Sequence, residues 1–324
     1  MRNKILDILY TSKGGPVSGQ ELSRILGVSR TAVWKHVKTL VSEGYRITGS
    51  GGKGYTLFES DVLNEYELNR KLNSTIPFMF KKSVGSTNTW AKEEASKADV
   101  DFMLVTAENQ ESGRGRLGRG FESDNKKGAW CSFIVKPDLK PEKALVITIA
   151  SAIAVCETLK RTCGLDTGIK WPNDIISNGK KICGILSEMS CETNAIEYIV
   201  VGIGINVLQD KHDFSPAIRD MAASVYTETG HKYRRSDIIA ALCYNMQEVY
   251  GLVKACKTDE IINSWKKFSV TDGKRIRITA DGVEKAAFAE GIDRQGRLII
   301  RNDDGETAVY NSGEISVRGI MGYI

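Results

Sequence analysis

Apolar residues recur at helical spacing through the first part of the chain. Ile5, Leu6, Ile8 and Leu9 form one stripe, Leu22, Ile25 and Leu26 a second, and Ala32, Val33, Val37 and Leu40 a third. Gly27 and Val28 break the second stripe from the third, and Ser29 stands where a cap for the third helix is needed. Two short helices about a glycine turn predict a helix-turn-helix, with the earlier helix completing its core. The YRITGSGGKGYTLF that follows predicts two short strands around a glycine-rich tip, the hairpin of a winged helix.

Ser60 to Leu72 is polar and weakly periodic, and reads as a connection with one short helix that leaves the first module free to move. From Phe80 onward helices and apolar strands alternate. A helix is predicted around Asn88 to Lys97 and a long apolar one from about 142 to 162. Strands are predicted at 102–107, 130–136, 182–189 and 196–205. This pattern is a sheet covered by helices, an α+β or α/β body. After further helices around 236–265, short alternating strands separated by ADG, RQG and DDG turns suit a small β-barrel resembling SH3 domains. The predicted domains are therefore 1–62, 63–269 and 270–324.

Three domains suit 324 residues, more than one hydrophobic core usually serves. A content of 41% hydrophobic and 26% charged residues excludes disorder and low complexity. The longest uncharged stretch, Ala144 to Cys156, falls short of the roughly 18 residues of a membrane span. No apolar signal segment follows Met1, so the expectation is a soluble, cytoplasmic protein without a membrane partner. The seven cysteines form no CxxC pair and the three histidines lie far from them, which indicates neither a zinc site nor a disulfide framework.

Charge is unevenly placed. Residues 1–60 hold nine Lys or Arg against four Asp or Glu, which accounts for the net +5 of the whole chain. A basic module thus precedes a neutral body, which points to double-stranded DNA as the partner of the first part. The third helix would offer Arg30, Thr31, Trp34, Lys35 and Lys38 to a major groove, with Lys53 near phosphate in the wing. A winged helix that serves only protein–protein contact is the competing reading. Half-sites one turn apart imply a dimer.

The sequence GRGRLGR at 113–119 lies in the polar stretch between two of the predicted strands. Its glycines let backbone fold closely round a ligand and its guanidinium groups supply forked donors for carboxylate or phosphate. Taken alone it also fits an RNA contact or a surface loop without a ligand, and it is no P-loop because the GK[ST] ending is missing. Its neighbours in sequence are STN at 86–88, Gln110, KWPND at 170–174, KKICGIL at 180–186 and GIGIN at 202–206. Each has an ordinary reading as a cap, a turn or a bulged strand. GIGIN also fails as a dinucleotide fingerprint, because the third glycine would fall at Val207.

In this order and spacing the motifs resemble those of biotin protein ligases of the bifunctional type that also act as operon repressors, and the resemblance covers essentially the whole chain. It implies a central mixed-sheet catalytic domain like that of class II synthetase-like biotin/lipoate ligases. One departure is Phe121, where relatives often place Trp to pack on the adenylate. The resemblance implies a reaction of biotin with ATP and Mg²⁺ that gives biotinyl-5'-AMP, followed by transfer to a lysine of a biotin carboxyl carrier protein of acetyl-CoA or pyruvate carboxylase. It also implies a homodimer that binds operator DNA when loaded with adenylate, and no bound prosthetic group.

By the same resemblance, Ser86, Thr87, Asn88, Gln110, Arg114, Gly115, Arg116, Lys181 and Gly184 meet biotin. Arg119, Phe121, Trp130, Asn173 and Asn206 meet ATP or adenylate, and Asp174 meets magnesium directly or through water. Arg114, Arg116, Lys170, Asp174 and Lys181 carry the chemistry. That chemistry joins two anions, so cations and positioning supply most of the rate, and an already ionised carboxylate needs no general base. Two alternatives remain at this stage: a ligand-sensing repressor with an inactive ligase domain, and a lipoate or octanoate ligase.

Overall fold

The computed structural model describes residues 1–50, 54–72, 76–192, 194–280 and 282–319, which fall into two compact units, Met1–Arg70 and Lys71–Ile324. In the first unit α1 (Arg2–Thr11), α2 (Gly19–Leu26) and α3 (Arg30–Ser42) are followed by the hairpin of β1 (Arg46–Ser50) and β2 (Gly54–Phe58). Ile5, Leu6, Leu9, Leu22, Val33, Val37 and Leu40 are buried together, as their spacing predicts. The serines cap as expected: Ser18 Oγ accepts from Glu21 N at 3.0 Å and Ser29 Oγ from Ala32 N at 3.2 Å. Ile25 departs from its predicted inward place and is 50% exposed, because the two-turn α2 buries only Leu22.

The segment expected as a free connection is instead built into this unit as far as Arg70. The carboxylate of Glu67, on α4 (Glu65–Leu72), accepts hydrogen bonds from Tyr10 Oη at 2.9 Å and Tyr45 Oη at 3.0 Å. Tyr66 Oη donates to Asp7 at 2.7 Å, and the Arg70 guanidinium lies 3.4 Å from the centre of the Tyr10 ring. Polar residues that look solvated in sequence are satisfied here by one another.

The second unit is organised by a seven-stranded mixed sheet. Its strands are β3 (Phe78–Val84), β4 (Phe102–Gln110), β5 (Gly128–Val135), β6 (Gly168–Lys170), β7 (Asp174–Ser177), β8 (Lys180–Glu192) and β9 (Ala195–Asn206). The order is β3-β4-β5-β9-β8-β7-β6, and only β3 and β4, joined through α5 (Thr87–Ala95), run parallel. The central strand β5 is wholly buried and β9 is buried or half-buried from Tyr198 to Asn206, and both read as near-continuous apolar runs rather than alternating ones.

One face of this sheet is sealed by α6 (Leu145–Cys163) and α8 (Arg235–Lys254), with α7 (Val225–Thr229) between them in sequence and α9 (Thr258–Phe268) packed on both. Thr148 meets Ser187 at 2.7 Å and Tyr250 stacks on Phe102, so these helices cover the odd-numbered side chains of β8 and β5. The opposite face is half covered by α5, through Trp90 packed with Val105, Ile134 and Val200, and its other half is open. The predicted C-terminal strands appear as an antiparallel sheet, β10 (Arg275–Ala280), β11 (Val283–Ile292), β12 (Leu298–Arg301), β13 (Thr307–Tyr310) and β14 (Ile315–Gly319), in the order β13-β12-β11-β10-β14. No helix of the described chain is long and apolar enough to cross a membrane.

Candidate active site

The open face of the large sheet is stripped of side chains at its centre. Register places Trp130, Gly204, Gly184 and Asp174 in one row across β5, β9, β8 and β7, and Ser132, Gly202 and Leu186 in the next row. Side chains alternate with period two, so both rows share this face. A Cβ at Gly202 would lie 2.1 Å from Asn88 Oδ1, one at Gly204 2.8 Å from the Phe121 ring, and one at Gly184 3.0 Å from the other edge of that ring. The glycines of GIGIN and KKICGIL therefore make room for Asn88 and Phe121.

A cavity of about 630 Å³ opens over this floor. One end is neutral and polar. The Gln110 carbonyl accepts from Thr87 N at 2.8 Å and from Thr87 Oγ1 at 3.0 Å, while Gln110 Nε2 donates to Ser123 at 3.0 Å. The other end is cationic, with Arg114, Arg116, Lys170 and Lys181 in the wall. Asp174 is the one carboxylate lining the cavity among the described residues, and Lys181 Nζ lies 2.6 Å from it.

GRGRLGR is a folded ribbon. Arg114 bridges Gly120, Phe121 N donates to Gly113 O at 2.9 Å, and Gly115 N donates to Arg119 O at 2.7 Å. The ribbon turns at Leu117 and Gly118, both left-handed with φ of 56° and 72°, the conformation of a tight hairpin turn. Leu117 is 69% exposed at that tip. Arg116 clasps the ribbon to two other elements: it donates to Asn173 Oδ1 at 3.0 Å and to the carbonyl of Ser312.

Electrostatics follow burial. Lys170, opposite Asp174 in the β6–β7 register, is pushed down to about 8 by burial and by Lys181 and Arg318, against the pull of Asp174. Burial also lowers Arg116, again against Asp174. Cys131 is the cysteine in the wall, and burial raises its thiol to about 12, so it is no nucleophile near neutral pH. Among the described residues no group of three or more His, Cys, Asp or Glu side chains is placed to hold a metal. A single carboxylate suits an ion that arrives with a nucleotide and takes its remaining ligands from phosphate and water. The whole arrangement can hold one elongated ligand with a neutral polar head at one end and acidic groups at the other.

Fifteen of the residues expected to bind ligand or carry the chemistry, from Ser86 to Gly184 and including Lys170, line this one cavity. Asn206 does not: its Nδ2 donates to Ala223 O at 2.9 Å, which makes it a strut for the segment that carries Met221 to the rim. Asn88 lines the cavity, yet its amide is engaged on the inner side by Ser132, Leu186 and Glu188. In the first unit Arg30, Thr31, Trp34, Lys35 and Lys38 are all exposed on one side of α3, and Lys53 lies outside the described residues. Sequence reasoning missed Met221 and the C-terminal Arg277, Ser316 and Arg318, which also line the cavity. The basic residues of β10 and β14 were the available signal.

Three family models match: an HTH domain at residues 1–56, the biotin/lipoate A/B protein ligase family at 80–206 and the biotin protein ligase C terminal domain at 272–318. The chain is 32% identical to the bifunctional ligase/repressor BirA of Bacillus spizizenii over 96% of this chain and 97% of that one. It is 27% identical to the BirA of Escherichia coli over 93% and 92%. A solved biotin protein ligase from Aquifex aeolicus, in complex with biotin and ATP, superposes with a TM-score of 0.64 at 26% identity, covering 75% of this chain and 99% of that one.

Proposed function

This chain belongs to the bifunctional ligase/repressor BirA family of biotin protein ligases, and from that premise we propose how its residues divide the work. The protein is an ATP-dependent biotin ligase and a DNA-binding repressor on one chain. It joins biotin and ATP as biotinyl-5'-AMP with release of pyrophosphate, and passes biotin to a lysine of a biotin carboxyl carrier protein. The observation that carries this reading is a single cavity with a neutral polar end and a cationic end.

Biotin's ureido ring, with two N–H donors and one carbonyl, suits the polar end around Ser86, Thr87 and Gln110. Its carboxylate then points toward Arg114, Arg116 and Lys181, where the anionic α-phosphate must also come. Holding the two anions about 3 Å apart is the difficulty of the step, and fixed cations remove most of it. Gly115 and Gly184 let the ligand lie close to backbone. Arg119, Phe121, Trp130 and Asn173 serve the adenylate, with Phe121 as the stacking ring, and Asn206 acts through the Met221 segment. Asp174 would hold the Mg²⁺ of the nucleotide, which supplies charge neutralisation on the phosphates when bound.

The division into 1–62, 63–269 and 270–324 belongs to the same proposal, as do a cytoplasmic location and a homodimer formed when adenylate accumulates. Arg30, Thr31, Trp34, Lys35, Lys38 and Lys53 are its DNA contacts. Pyrophosphate exchange into ATP, run with biotin, lipoate and octanoate, tests the reading. Exchange is expected with biotin alone, since lipoate would leave the buried polar end unpaired. Exchange with lipoate or octanoate would make the protein a ligase of those acids. No exchange, with DNA binding retained, would make it a repressor with an inactive ligase domain.

A further inference from the structure

The KWPND stretch is held from behind the cavity by the chain that leads into the last sheet. Between α9 and β10 that chain runs beside β6: Ser269 and Ile169 form a parallel bridge, and Val270 N donates to Ile169 O at 3.0 Å. Gly168 allows the approach, since a Cβ there would lie 2.2 Å from Val270 Cγ1. One residue further on, Trp171 N donates to the hydroxyl oxygen of Thr271 at 3.0 Å. The Trp171 indole Nε1 donates to Gly296 O at 2.9 Å, in the turn between β11 and β12. Trp171 is 1% exposed and Thr271 3%, and neither Thr271 nor Gly296 lines the cavity.

Both bonds have one direction only. A backbone N–H and an indole N–H donate, so Thr271 must turn a lone pair to the first and the Gly296 carbonyl takes the second. The accepting turn is itself fixed. Asp293 Oδ1 accepts from Gln295 N at 2.8 Å and Arg297 N at 3.0 Å, and a Cβ on Gly296 would lie 3.1 Å from Ile149 on α6. Pro172 brings no N–H, and Asn173 is anchored elsewhere, with Nδ2 on Ile185 O at 2.7 Å and its carbonyl accepting from Ile185 N at 2.9 Å. Thr271 and Gly296 thus hold the Trp171 end of the stretch, directly after Lys170.

We infer that Thr271 is a positioning residue of the adenylating step: its hydroxyl, with the Gly296 carbonyl, keeps Trp171 in place and so sets the wall from Lys170 to Asp174 for the phosphates of ATP. The inference rests on the ligase reading and extends it to a residue outside the cavity. Without the hydroxyl, the Trp171 N–H is buried and unpaired, and the stretch relieves this by moving toward the cavity, where the N–H meets water. ATP needs the wall back in place, so its binding must reverse the shift and is weakened. The polar end around Ser86, Thr87 and Gln110 stands on other elements and stays as it was.

The test is pyrophosphate exchange by the full-length protein, with KM for ATP and for biotin measured separately and thermal unfolding of each variant. Thr271→Val, close in shape but without an acceptor, is expected to raise the KM for ATP about tenfold, the effect of one unpaired buried N–H, and to leave the KM for biotin within about twofold. Thr271→Ser, which keeps the acceptor, restores the KM for ATP to near the wild-type value. Trp171→Phe, which loses the indole donor, raises the KM for ATP in the same selective way. An unchanged KM for ATP in Thr271→Val, whether or not its unfolding temperature falls, would overturn the inference in favour of a purely structural contact. Equal rises in both KM values, or no recovery in Thr271→Ser, would also overturn it; all these outcomes leave the ligase reading standing. Absence of biotin-dependent exchange in the wild type would remove the ligase reading and this inference with it.

Discussion

Replacing Gly202 by alanine tests whether the sheet floor was cleared for Asn88. The new methyl would stand 2.1 Å from Oδ1, 2.8 Å from Cγ and 2.9 Å from Nδ2 of Asn88, so the amide must leave. It then gives up its contacts with Ser132, Glu188 and the Leu186 carbonyl. At about 1 kcal/mol net for each hydrogen bond, the loss is about 3 kcal/mol, a large part of a typical stability of about 5–15 kcal/mol. For a unit of this size that lowers Tm by about 6–12 °C. Gly184→Ala is the control, because its Cβ meets the far ends of Phe121 and Lys181 at 3.0 and 3.1 Å, which can swing aside. Scanning calorimetry of the two full-length variants should separate them widely, with Gly202→Ala also losing biotin affinity. Both melting with the wild type, or Gly184→Ala melting lower, would refute the reasoning.

Lys170 gives a pH signature. Its value in the folded protein, about 8, lies below the ordinary 10.5, so its contribution to stability is complete above 10.5 and is lost as pH falls through about 8. Lys170→Met should therefore be more stable than wild type at pH 7, with the gap closing as pH rises past 8; melting curves from pH 6.5 to 10 check this, and a constant gap contradicts it. Arg318→Ala, which removes a C-terminal cation from the cavity wall, should raise the Kd for ATP about tenfold and leave biotin binding alone, as isothermal titration of each ligand would report. On α3, Lys35→Ala should lower the slope of log affinity against log salt by about 1 on any duplex, whereas Trp34→Ala weakens binding without changing the slope, both read by fluorescence anisotropy.

Periodicity carried the first unit well. Ser29 caps α3 and Leu22, Val33, Val37 and Leu40 meet in the core because local spacing and packing agree there. Spacing overreached at Ile25, since two turns of helix bury too little to enforce a full stripe. The polarity of 60–72 misled for a different reason: Glu67 and Tyr45 satisfy one another, and a hydrogen bond between residues 22 apart leaves no mark in a local window. In the second unit β3, β6 and β7 escaped notice because they are edge or short strands. The motif residues were legible as types, but the partners of Arg116 at Asn173 and Ser312, and the cations of the last sheet, are set by tertiary contact alone.

The central claim is that one cavity joins biotin to ATP through the arginine ribbon. Full-length protein would be incubated with biotin and MgATP, and the biotinyl-5'-AMP retained on it measured by mass spectrometry beside Arg116→Ala. About one adenylate per wild-type chain, with little or none on the variant, is the predicted result. Equal adenylate on both, or none on the wild type, would contradict the account.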